Sequence, residues 1–89
     1  MNNNIFIDPK IDQDYSTISY FQVEFLNLIL NTSVLFRVKF YNSNNLEIRN
    51  IYLNIEGDEY KNWGYDDNYL IELICKKYNF ILKSDNIEK

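Results

Sequence analysis

The chain has 89 residues, a formal charge of −4, one cysteine and no histidine. That length makes one domain, 1–89, with a small core in which each large side chain counts. The acidic balance argues against direct nucleic-acid binding, and the absent histidine and lone cysteine exclude nitrogen- or paired-sulfur metal sites and internal disulfides.

Residues 1–15 are mostly polar and read as a loose N-terminal arm. The short apolar hook at Ile5 and Ile7, before Asp8 and Pro9, offers the alternative of an edge strand. No basic stretch followed by an apolar one opens the sequence, so no signal peptide is expected. No apolar run approaches the ~20 residues that span a bilayer.

From Ser16 the pattern is strand-like. Phe21, Val23 and Phe25 share one face, with Gln22 and Glu24 on the other. The parity breaks at Leu26, which predicts either a bulge or cover on both faces. Asn31 to Ser33 reads as a turn. In "VLFRVKF", Val34, Phe36, Val38 and Phe40 alternate strictly with Leu35, Arg37 and Lys39, a half-buried strand. "YNSNN" is a turn cluster, since Asn tolerates left-handed backbone angles. A further strand follows, with Leu46 and Ile48 on one parity and Ile51, Leu53 and Ile55 on the other. The slip at Arg49-Asn50 predicts a second bulge.

After Gly57 the period changes. "DEYKNW" reads as one helical turn, broken by Gly64. Leu70, Ile71, Ile74, Cys75 and Tyr78 then make one helical stripe. Asp66 or Asp67 caps its start, Lys76 and Lys77 suit its end, and Asn79 stops it. Phe80 to Leu82 suits a short final strand, and 83–89 reads as a frayed tail. The expected fold class is α+β: an antiparallel β-meander of three or more strands with one C-terminal helix packed on one face.

The joint between sheet and helix holds the candidate site. Tyr60, Trp63 and Tyr65 offer a partner-binding patch, because Tyr and Trp are enriched at interface hot spots. Tyr60 and Trp63, three apart, also suit a structural role closing the end of the core. Glu56, Asp58, Glu59, Asp66 and Asp67 are hard oxygen ligands, but they lack calcium-loop spacing, and helix capping accounts for the Asp pair. Cys75 reads as a buried small hydrophobe. With no histidine, nucleophile elbow or phosphate-binding glycine loop, no catalytic residue, metal or cofactor is expected.

The 14 asparagines, 12 isoleucines and missing alanine suit AT-rich codons. The segment Val34 to Ile81, carrying Gly57, Tyr60, Trp63, Gly64, Asp66, Asp67 and Tyr69, resembles a pattern in small uncharacterised phage-encoded proteins. That resemblance implies a viral virion or assembly component, located in the host cytoplasm or the virion. The expected function is therefore a non-enzymatic structural or interaction protein within an oligomer or larger complex. Its partner is another protein or a second copy, with no direct nucleic acid and no membrane. The alternative is a small acidic inhibitor of a host defence protein, of the anti-CRISPR kind.

Overall fold

The computed structural model describes residues 4–12 and 16–83. Four strands, β1 (Ile5–Ile11), β2 (Thr17–Ile29), β3 (Ser33–Tyr41) and β4 (Glu47–Glu56), precede two helices, α1 (Asp58–Trp63) and α2 (Asp67–Tyr78). The strands form one antiparallel sheet in the order β1-β2-β3-β4, so the fold is α+β with a meander.

The strict alternation of β3 has the expected consequence. Val34, Phe36, Val38 and Phe40 are buried, while Leu35, Arg37 and Lys39 are half-buried on the other face. The register of β2 against β3 skips Leu26, between Phe25↔Phe36 and Asn27↔Leu35. A bulge therefore stands where the parity breaks. On β4 the extra residue is Ile48, since Phe40 pairs with Arg49 and Tyr41 with Glu47. The bulge lies just before Arg49-Asn50, and Arg49 stands opposite Phe40 as Ile51, Leu53 and Ile55 stand opposite Val38, Phe36 and Val34.

Asparagine shapes the turns. Asn31 and Asn45 take positive φ of 60° and 67°. The Asn42 carboxamide oxygen accepts bonds from the amides of Asn44 and Leu46 at 2.9 and 3.0 Å. Short polar side chains stabilise such left-handed or tight backbone by bonding locally.

The two ends of the chain depart from expectation. The loose arm is, over Ile5–Ile11, strand β1; residues 1–3 and 13–15 lie outside the described part. Ile5 and Ile7 are buried, and their hydrophobic gain outweighs the poor strand propensity of Asp8-Pro9. Pro9 falls within the register irregularity between Phe6 and Lys10, where its missing N–H breaks no ladder bond. Lys83, the first residue of the expected tail, is tied down: its amide bonds the Phe6 carbonyl at 3.1 Å. Leu82 bridges Ile7, so Phe80 to Leu82 contributes one bridge rather than a strand, and 84–89 lie outside the described residues.

There are two helices rather than one. Gly57 (φ 62°) releases the chain from β4, and Gly64 (φ 48°, left-handed) ends α1. Asp66 then caps α2 by accepting from the Asn68 amide at 3.0 Å. Asn79 (φ 58°) ends α2 in the left-handed conformation. Leu70, Ile74 and Cys75 of α2 and Trp63 of α1 belong to one buried cluster with Phe21, Val23, Val38 and Ile55 of the sheet. Phe40 meets Tyr78 edge-on at 5.4 Å between ring centroids.

Candidate interaction surface

The α1 elbow separates the three aromatics of the candidate patch. Trp63 is buried, at 5% exposure. Its indole stands edge-on to Phe36, with centroids 5.7 Å apart, and lies 6.0 Å from Tyr60. Tyr60 is half-buried, and its hydroxyl accepts the Asn31 amide at 3.1 Å, tying α1 to the β2–β3 turn. Tyr65 is 62% exposed and lies 4.7 Å from Trp63. Hydrogen bonding to the neighbouring Tyr60, then its charge, raises the Tyr65 pKa. Trp63 is thus a core residue, and of the three only Tyr65 presents a large free surface. The Trp63 Nε1 is buried without a partner.

Beside the elbow, the end of the β2–β3 hairpin carries apolar side chains that the sequence reading left without a named site. Phe25, Ile29 and Leu30 are 51%, 55% and 68% exposed. Phe25 touches Phe36 edge-on at 6.1 Å, so Phe25, Phe36, Trp63 and Tyr65 form a continuous row of rings from surface to surface. The parity break at Leu26 was the sequence signal: with apolar residues on both parities, one set had to face outward.

The sheet face opposite the buried row is built differently. Tyr20 stacks on Tyr41 at 4.9 Å and meets Phe6 at 5.2 Å. Burial, then the neighbouring Tyr41, raises the Tyr20 pKa. The Tyr41 hydroxyl donates to Gln22, whose amide nitrogen donates to Asn4. Arg37 and Lys39 each lie 3.5 Å from Glu24. Arg37 also donates to the Tyr52 hydroxyl at 3.2 Å, which with that ring's charge raises its pKa further. This face is paired and tolerates water.

Cys75 is buried, and burial first, then Glu72, pushes its thiol up to about 11, so the nucleophilic thiolate is scarce at neutral pH. Among the described residues no group of three His, Cys, Asp or Glu could hold a metal ion. Asp66, one of the acidic candidates, is occupied as a helix cap. Among the same residues no helix is long and apolar enough to cross a membrane. No protein family, curated protein or solved structure matches this chain.

Proposed function

We propose that this protein is a non-enzymatic interaction protein that acts in an oligomer or a larger assembly. One observation carries this reading: Phe25, Ile29 and Leu30 hold large apolar area in water at one end of the sheet. Large apolar side chains left in water are candidates for association sites. In this reading α1 and α2 roof one face of the sheet. The polar, ion-paired face needs no cover, and the hairpin end is where a protein docks. Tyr65 extends that surface past the elbow. A place in a phage virion or its assembly rests on the resemblance of the Val34 to Ile81 segment.

The acidic-inhibitor reading is less well supported. Mimicry of nucleic acid needs carboxylates in a row free of cations. Here Glu24 is flanked by Arg37 and Lys39, Asp12 is bound to Arg49, and Lys77 lies 4.0 Å from Glu59.

The test is chemical cross-linking in extracts of the native source, with wild type and a Leu30→Lys variant compared by mass spectrometry. Cross-links concentrated on the hairpin end and lost in the variant support the reading. An unchanged pattern, or one on the ion-paired face, contradicts it.

A further inference from the structure

We propose that β4, over residues 50–56, pairs antiparallel with the same segment of a second copy and joins two four-stranded sheets into one. The inference goes beyond the hairpin-end reading, because it concerns a different surface.

The two edges of the sheet differ. β1 is covered: Leu82 bridges Ile7, the Asp8 amide bonds the Ile81 carbonyl at 2.8 Å, and the Lys83 amide bonds the Phe6 carbonyl. β4 is bare. Among the described residues only β3 pairs with it, so along residues 50–56 a row of main-chain donors and acceptors faces outward. The residues outside the described part are too few to reach that row. Lys83 sits on the far side of β1, five strand spacings or about 24 Å from the outer side of β4, and the chain after it extends at most about 22 Å. Residues 1–3 start from Asn4, beside β1, four spacings or about 19 Å away, and extend about 11 Å. Residues 13–15 are held at both ends by Asp12 and Ser16, which bond each other at 2.7 Å.

The row also lacks the features that keep edges from pairing. Residues 50–56 contain no proline and no lysine. Their register with β3 runs unbroken from Lys39↔Asn50 to Ser33↔Glu56, because the Ile48 bulge lies outside it. Such an edge is a template for another strand.

Face matching selects the occupant. Ile51, Leu53 and Ile55 stand opposite the buried row of β3, and Asn50, Tyr52 and Asn54 stand on the open face. A strand that extends this sheet needs the same alternation, apolar toward the helices and polar or aromatic away from them. β4 itself supplies it. A two-fold pairing that keeps the apolar residues on one face is centred on a residue, and the centre at Leu53 uses the whole unbroken stretch. Ile51 then stands opposite Ile55 of the copy, and Leu53 opposite Leu53. Tyr52 stands opposite Asn54, which sets the two Tyr52 residues diagonally across the axis, about 7–8 Å apart and within reach of aromatic rings. In the single chain that ring is 62% exposed, with the Arg37 guanidinium 5.3 Å from its centroid. Glu56, the one charged residue of the segment, meets Asn50, whose carboxamide nitrogen has a second hydrogen besides the one it gives Glu47 at 2.7 Å. No like charges stand opposite each other.

Sedimentation velocity over a wide concentration range tests this, with wild type, Tyr52→Lys, Ile11→Lys and Leu30→Lys compared. Tyr52→Lys sets two ammonium groups, each beside an Arg37, across the axis. Ile11, 66% exposed at the end of β1, controls for a lysine in place of an exposed apolar residue elsewhere. The expected result is a wild-type dimer whose dissociation constant rises by at least about tenfold in Tyr52→Lys and is unchanged in Ile11→Lys. Circular dichroism confirms that each variant is folded. Should Tyr52→Lys misfold, wild type mixed with an isotope-labelled copy, and read by NMR for contacts between Ile51 of one copy and Ile55 of the other, gives the same decision. A wild-type chain monomeric at every concentration, a dimer insensitive to Tyr52→Lys, or contacts between copies elsewhere overturns the pairing. A dimer lost in Leu30→Lys but kept in Tyr52→Lys overturns it as well and moves self-association to the hairpin end, so failure of the pairing is told apart from failure of the hairpin-end reading.

Discussion

The Trp63 indole meets the Phe36 ring edge-on at 81°, 5.7 Å between centroids, and this contact fastens the α1 elbow to the sheet. Edge-to-face pairs of this kind add about 0.5–1.5 kcal/mol beyond the area they bury. Trp63→Ala is expected to lower stability by about 3–5 kcal/mol in urea unfolding. Trp63→Phe keeps a ring against Phe36 and removes the unpartnered Nε1, whose burial costs about 1–3 kcal/mol. The phenylalanine variant is therefore expected to lose much less than the alanine one; equal losses contradict this view of the elbow.

A second fastening crosses the sheet. Arg49 of β4 grips Asp12, just after β1, with bonds of 2.7 and 2.9 Å, although β1 and β4 are opposite edges of the sheet. The Asp12 side chain is 6% exposed, and the guanidinium also lies 5.1 Å over the Phe40 ring. Asp12 is buried while Arg49 is about a third exposed, so removing Asp12 leaves a charge that water still reaches. Asp12→Ala is expected to cost about 1–3 kcal/mol, with part recovered in Asp12→Ala/Arg49→Met. Arg49→Lys keeps the charge but not the fork, and should also destabilise. A double-mutant cycle checks the coupling; strict additivity would sink it.

Cys75 gives the protein an alkaline limit. Its thiol titrates at about 11 when folded against 9.0 for a free thiol. The folded state therefore holds its proton where the unfolded state releases it. This contribution is fully present below pH 9.0 and is lost as pH rises toward about 11. By that pH the loss is roughly 2 kcal/mol. Denaturant titrations of wild type and Cys75→Ala at neutral and alkaline pH isolate it, because the alanine chain lacks the thiol. Parallel pH curves for the two chains rule the effect out.

The end of α2 depends on one backbone angle. Asn79 has φ 58°, and the following amide, of Phe80, bonds the Cys75 carbonyl at 2.9 Å. Glycine adopts that angle freely, whereas a β-branched residue is strained there by about 1–3 kcal/mol. Asn79→Gly is expected to leave the melting temperature near wild type and Asn79→Val to lower it. Similar melting temperatures for both variants would show that the angle carries no strain.

Much of the fold was legible because its signals are local. The alternation of Val34 to Phe40 marked β3, the parity break marked the Leu26 bulge, and Gly57, Gly64, Asp66 and Asn79 marked the helix limits. β1 was obscured because its polar residues and Pro9 read as an arm, while its burial comes from a distant packing of Ile5 and Ile7. The Asp12–Arg49 grip joins residues 37 apart in the chain, which no local pattern shows. The site was only partly legible. Its spacing put Tyr60 and Trp63 together, yet the same closeness to Phe36 buried Trp63 and left Tyr65 outside. Phe25, Ile29 and Leu30 were recognisable as too apolar for one face, but which of them stays in water depends on the register set by the Leu26 bulge.

The central claim is that the hairpin end of β2 is a surface on which this protein meets another. Amide hydrogen exchange resolved by residue, on the isotope-labelled chain alone and in extracts of its native source, tests it most directly. The account predicts that protection of Phe25 to Leu30 rises in the extract. Protection of Phe25 to Leu30 that is the same with and without the extract contradicts it.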